Sequence, residues 1–202
     1  MSTFHCPNCA SPVATAAASV KLTACESCGT TLFIEDNQAR LAGEQGVMHE
    51  APMLFGLGST IKLGGRTLQI LGHARFSYGR GFWEEFWALD DSSSPCWVSL
   101  DEGDIVMQRG LTRSAWPRYD GYLKLGYTLD YDGETFTVTE EDDAECVAVR
   151  GSFDQALIVG ERYRFVNLQG EDGTLLSGEF QGASREWYRG EWYDPFEVEV
   201  LA

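Results

Sequence analysis

The chain has 202 residues, 44% of them hydrophobic and 12% aromatic, enough for a small metal module and a body of about 150 residues with its own core. Its 15 Lys and Arg face 31 Asp and Glu, a formal charge of −16 that disfavours nucleic acid and fits solubility or a basic protein partner. No stretch approaches the ~20 apolar residues of a membrane span. The opening Met1-Ser2-Thr3-Phe4-His5-Cys6 lacks a basic and apolar leader, so a cytoplasmic protein is expected.

The first motif is a pair of Cys-x-x-Cys knuckles, Cys6-Pro7-Asn8-Cys9 and Cys25-Glu26-Ser27-Cys28, with 15 residues between them. This is the spacing of a four-thiolate zinc ribbon. A segment of roughly 40 residues buries too little apolar surface to fold alone, so structural zinc is expected at Cys6, Cys9, Cys25 and Cys28. Four thiolates leave no open position for water, which argues against a catalytic metal. A second pair also argues against dithiol redox chemistry. Val20-Lys21-Leu22-Thr23 and Thr31-Leu32-Phe33-Ile34 read as strands beside the metal, and Leu41 to Pro52 reads as a linker with a helical turn. The ribbon with its linker is assigned to 1–46 and a β-rich body to 47–202.

The body is expected to be short strands punctuated by glycine. Ile61 to Leu71 reads as a hairpin around Gly64-Gly65, and Leu129 to Val138 as a second around Asp132-Gly133. Laid side by side without gaps, Leu57 to Ile70 and Leu125 to Val138 are identical at five of 14 positions, and four further pairs are apolar in both. That is the mark of either a duplication or convergent turns. Phe82 to Leu89 is a strand with aromatics on both faces, and Cys96 to Leu100 is its pairing partner. Ile105 to Leu129 reads as the connection between halves, and Glu140-Glu141-Asp142-Asp143 as a solvated loop. Tyr163 to Leu168, Thr174 to Phe180, Trp187 to Trp192 and Phe196 to Leu201 complete the strands. The expected fold is mostly β: a zinc ribbon followed by an antiparallel β-barrel or sandwich, with two duplicated barrel-like halves, 54–118 and 119–202, left open.

The opening glycine-rich hairpin, Trp83-Glu84-Glu85-Phe86, Cys96-Trp97-Val98-Ser99-Leu100 and Trp187-Tyr188-Arg189-Gly190-Glu191-Trp192 together resemble a bacterial family catalogued as domain of unknown function 4178. The resemblance runs from about Gly56 to Val198. It implies an accessory role beside polyamine-type synthases and phage-shock-type proteins, with peripheral association to a membrane-stress complex. It implies no catalytic residue.

Cys96 and Cys146, next to apolar strand residues, read as small buried hydrophobes. Neighbouring carboxylates on a strand face opposite sides, so adjacency makes no acid–base pair. The aromatic content suggests a partner- or ligand-binding face at Trp83, Glu85, Trp87, Trp187, Arg189 and Trp192. The leading functional expectation is a non-enzymatic zinc-ribbon adaptor that binds a protein partner. The alternative is a binder of, or enzyme acting on, a small cationic ligand such as a polyamine, held by carboxylates and aromatics.

Overall fold

The computed structural model describes residues 3–35, 38–48, 52–118 and 123–201. The N-terminal module pairs β1 (Thr3–His5) with β2 (Pro12–Ala14), and β3 (Leu22–Ala24) with β4 (Thr31–Glu35) and β5 (Gln38–Leu41). Each knuckle is the turn of one hairpin. The turns close through Ala10 N–H to the Cys6 carbonyl and Gly29 N–H to the Cys25 carbonyl, with Ala10 and Gly29 both at positive φ. The module's own core is Cys6, Val13, Cys25 and Leu32, so half of it consists of metal-ligand candidates.

The body is two five-stranded antiparallel meanders of the same design. The first runs through β6 (Thr60–Leu63), β7 (Arg66–Ser77), β8 (Phe82–Asp90), β9 (Pro95–Asp101) and β10 (Asp104–Gly110). The second runs through β11 (Thr128–Tyr131), β12 (Glu134–Gly151), β13 (Arg162–Gln169), β14 (Thr174–Gln181) and β15 (Ser184–Tyr193). They join twice, β10 to β15 and β7 to β12, so eight strands form a near-closed ring. The two-residue strand β16 (Glu199–Val200) pairs with β6.

Both hairpins expected at the glycine turns are present, β6–β7 and β11–β12, with positive φ at Gly64, Gly65, Asp132 and Gly133. The correspondence goes further than the turns. A register shift falls between Ile70 and Gly72 in β7, and another between Val138 and Glu140 in β12, at matching places in the two hairpin alignments. A bulge inserts one residue and so exchanges the faces of a strand. Before the bulge, Leu68 and Ile70 pack into the first meander's core with Phe55, Ile61, Phe86 and Val98, while Phe136 and Val138 pack into the second's with Leu123, Leu168 and Trp187. Beyond it, Ala74, Phe76 and Cys146 turn to a third core shared with Trp87, Trp97 and Phe153. Each half is thus rolled around its own core, and the halves together enclose a space.

Several segments differ from the sequence reading. Ile105 to Gly110 belongs to β10 rather than to a connection, because its apolar alternation finds a partner on each side. Glu140 to Asp143 lies inside β12, where Glu141 pairs with Arg164 at 2.6 Å and Asp142 with Arg80 at 3.6 Å; opposite charges let an acidic run enter a strand. Between Phe196 and Leu201 a 3₁₀ turn, Pro195–Glu197, precedes only two strand residues. The segment after Leu41 is docked: Val149 N–H donates to the Gln45 carbonyl, and the Arg150 guanidinium donates to the carbonyls of Gln45 and Gly46. The expected junction of the halves adjoins residues 119–122, outside the described residues.

The seam between β7 and β12 is tightest where Gly72 faces Gly151. Gly151 has φ +82°, and a Cβ there would stand 2.3 Å from the Leu71 carbonyl oxygen. Gly133 has the same φ but open space around it. Gly151→Ala is therefore expected to cost about 3 kcal/mol or prevent folding, while Gly133→Ala costs only about 1 kcal/mol. Denaturant unfolding of the two variants checks the difference.

Candidate functional site

Two sites emerge. The four knuckle cysteines converge: Cys6 and Cys28 Sγ lie 3.7 Å apart, Cys9 and Cys25 Sγ also 3.7 Å, and all four ligand atoms lie within 4.8 Å of one another. Thiolates about 2.3 Å from a common tetrahedral centre would be about 3.8 Å apart, so the ring has the size of a closed four-sulfur metal site. All six cysteines are free of disulfides. Asn8 braces the ring, its side-chain amide donating to Thr30 Oγ1 at 2.8 Å and approaching Cys28 Sγ at 3.8 Å. Such an outer contact fixes a thiolate's orientation.

The second site is the space between the halves. It consists of a wide cavity of about 760 Å³ and a narrow one of about 90 Å³, and Glu85, Gln108, Tyr163 and Glu179 line both. These four residues form the waist. They come from β8, β10, β13 and β14, on the face that period-2 alternation turns away from each half's own core. The narrow end is also lined by Asp101, Asp104 and Glu140, with Tyr78, Trp83 and Trp192, and no Lys or Arg is among its lining residues. In the wide end the cations are Lys21 and Arg109, and Arg109 is committed to Asp90 at 2.6 Å.

Glu85 Oε1 accepts hydrogen bonds from Trp83 Nε1 at 2.9 Å and Ser99 Oγ at 2.8 Å. Its Oε2 is buried without a partner, and so is Gln108 Oε1, although Gln108 is only 7% exposed. Among the described residues no Lys, Arg or His lies within ion-pair distance of Glu85 or Glu179. Burial therefore lifts Glu85 to about 7 against the pull of Ser99 and Trp83. Burial, reinforced by the charge of Glu85, lifts Glu179 to about 8. Tyr163, enclosed beside Glu179, is raised well above the ordinary phenol value for the same reasons. At the waist, Glu85 Oε2 and Gln108 Oε1 are thus acceptors without a donor to match them.

The residues expected from sequence divide accordingly. Trp83, Glu85 and Trp192 line the lumen. Trp87 is fully buried in the shared core, and Trp187 is buried in the second meander's core, edge-on to Phe180. Arg189 stands over the Phe136 ring and pairs with Asp132 at 2.9 Å and Glu134 at 3.2 Å. Cys96 and Cys146 are buried, and burial raises their thiols to about 11 and about 12, so neither is an activated nucleophile. Of the histidines, His73 is locked to Glu84 at 2.7 Å and His49 lies outside the described residues. Gln108, Tyr163 and Glu179 were missed; their signal is a polar residue at the alternate position of a strand whose other face is apolar.

The family profile described as Domain of unknown function (DUF4178) matches residues 56–195. The chain belongs to this family. No curated protein and no solved structure matches it. The DUF4178 region coincides with the two meanders, so the lumen is built from family residues except where the N-terminal module and its Lys21 reach it.

The carboxylates of this DUF4178 lumen fix a pH dependence. Glu85 and Glu179 have folded values above the ordinary 4.5. The folded protein thus holds protons that the unfolded chain releases, and stability falls as pH rises from about 4.5 through 8. Glu85→Gln or Glu179→Gln should stabilise the protein at pH 8.5 by on the order of 2 kcal/mol and have no effect at pH 4. Urea midpoints at the two pH values test this; equal midpoints at pH 8.5 would mean that the carboxylates are not confined.

Proposed function

We propose that the protein is a binding protein rather than a catalyst, that its lumen takes a small organic cation of the polyamine kind, and that its N-terminal module is a structural zinc ribbon. The observation that carries this reading is the waist, where Glu85 and Gln108 present unpartnered acceptors to a cavity whose inner end is lined by carboxylates. An ammonium group supplies both the missing charge and the missing donors, while its alkyl chain lies against Trp83, Tyr163 and Phe165. Buried acceptors left unmatched cost about 1–3 kcal/mol each, which a suitable ligand recovers. The implied neighbourhood of polyamine-type synthases points the same way.

Zinc is favoured for the ring because four thiolates at tetrahedral spacing suit a soft, closed coordination shell. Free cysteines in such a ring suit a reducing compartment, which supports the cytoplasm. No helix among the described residues is long and apolar enough to cross a membrane.

Calorimetric titration of the full chain with spermidine at 150 mM salt, about physiological ionic strength, should show saturable binding. The double variant Glu85→Gln/Glu179→Gln should weaken it at least tenfold. Heats no larger than those of magnesium chloride at equal ionic strength would leave only diffuse attraction and sink the reading.

The adaptor role expected from the ribbon motif has one observation in its favour. Phe196 is 97% exposed, with Val200 and Leu201 partly exposed beside it at a sheet edge. A solvent-facing phenylalanine next to an unpaired edge is a docking feature. A host protein retained by the wild type and lost with Phe196→Ser would support the adaptor; equal retention would remove that surface from it.

A further inference from the structure

The wide end of the lumen is walled by the connection between β12 and β13, residues 152–161, of which Asp154, Gln155, Leu157, Ile158 and Glu161 line the cavity. The ends of this connection are tied to the barrel. Ser152 N–H donates to the Leu71 carbonyl, Gly160 N–H to the Cys146 carbonyl, and Cys146 N–H to the Glu161 carbonyl. Between these ties Gln155 donates a side-chain hydrogen bond to the Tyr188 hydroxyl, and Leu157 and Val159 pack against the shared core.

The start of the connection is held by the N-terminal module as well. Lys21 N–H and Leu22 N–H both donate to the Phe153 carbonyl, at 2.8 and 3.1 Å, and Phe153 N–H returns a bond to the Leu22 carbonyl at 2.8 Å. The Thr23 and Ser152 hydroxyls are hydrogen-bonded at 2.8 Å. Val20 and Leu22 pack with Phe153 and Trp97 in the shared core, and Trp97 stacks on Phe153 with ring centres 5.8 Å apart. Lys21 itself lines the cavity beside Asp154, whose carboxyl it steadies against burial. The strand that delivers these contacts, β3, leads directly into Cys25.

We infer that the metal ring is a working part of the lumen site: it holds β3 against residues 152–154, where the wall begins, so metal binding and occupancy of the lumen are coupled. The ligand class rests on the preceding reading; the coupling rests on the contacts just described. The module's own core holds Val13 and Leu32 and otherwise the thiols Cys6 and Cys25, so without metal the sheet that carries β3 loses half of its internal support. If metal stabilises the wall, and the wall completes the site, then each ligand must strengthen the other's binding by the same factor.

Hydrogen exchange on the full chain, zinc-loaded and after chelation, tests the coupling. Chelation should speed exchange at 152–154 at least tenfold while β8 to β10 stay protected, and should weaken spermidine binding at least tenfold. Leu22→Asp, which breaks the clamp and leaves all four thiols in place, should reproduce both changes in the zinc-loaded protein. Spermidine should in turn slow zinc transfer to a chromogenic chelator. Unchanged protection at 152–154 after chelation would overturn the inference. Faster exchange there with no spermidine heat in either state would uphold the metal-held wall and overturn the amine reading alone.

Discussion

The double seam between the two meanders is the constraint on which everything else depends. An antiparallel sheet leaves edge N–H and C=O groups that need partners, and each half finds them on the other: β10 pairs with β15, and β7 pairs with β12 along the stretches that β6 and β11 do not cover. Because the bulges in β7 and β12 exchange the faces of those strands, the seam brings together walls that have already spent their outer faces on private cores. The inner faces must line whatever lies between. Near the ribbon Trp87, Trp97 and Phe153 fill that space; at the waist polar residues line a cavity on either side.

Comparing the halves separates architecture from specialisation. Arg109 and Arg189 face each other across the β10–β15 seam, and each reaches a carboxylate of its own half, Asp90 or Glu134. Those carboxylates play like parts: Asp90 accepts the backbone N–H groups of Ser92 and Ser94, and Glu134 accepts that of Glu171, tying the β8–β9 and β13–β14 turns. This duplicated hardware holds turns and seams. The lumen is where the likeness fails. Glu85 pairs across the strands with Ser99, whereas in the other half Phe165 pairs with Glu179, so the acid stands on the first strand of one pair and on the second strand of the other. Only one end of the lumen receives a metal module. The halves thus depart from symmetry at the waist and mouth rather than in the repeated frame.

The parts that sequence disclosed are those governed by local rules. Two Cys-x-x-Cys knuckles can converge only if their hairpins form, and Gly64-Gly65 and Asp132-Gly133 specify tight turns whatever surrounds them. The lumen was harder to see because alternation assumes one buried face and one wet face. Here β8, β9, β13 and β14 are enclosed on both sides, so Phe82 to Leu89 shows aromatics at odd and even positions alike. Parity still carried information. Trp83, Glu85 and Trp87 share a face, as the structure has them, whereas Trp187 and Trp192 lie five residues apart and must point to opposite sides. The Glu140 to Asp143 run was misread because its neutralising partners, Arg80 and Arg164, are remote in sequence. Glu179 gave no local sign of its burial; only the second wall confers it.

A chain with 31 carboxylates has ample surface on which to leave them solvated, so confining Glu85 and Glu179 works against the fold. Burial opposes their ionisation, and each charge opposes the other's. The surrounding charge of −16 adds self-repulsion that distant surface Lys and Arg relieve little across a screened distance. Such a pair lowers stability near neutral pH unless something enters the lumen to neutralise it. A bound cation would remove the desolvated charge, satisfy Glu85 Oε2 and Gln108 Oε1, and stabilise the folded chain in proportion to the logarithm of its concentration. The metal module enters the same balance from the other side, adding Val20 and Leu22 to the shared apolar core at the end where the seam alone leaves the wall least supported. Destabilisation at the waist and support from the N-terminal module at the mouth are then two opposed terms of one arrangement, a lumen walled by both halves and by the module.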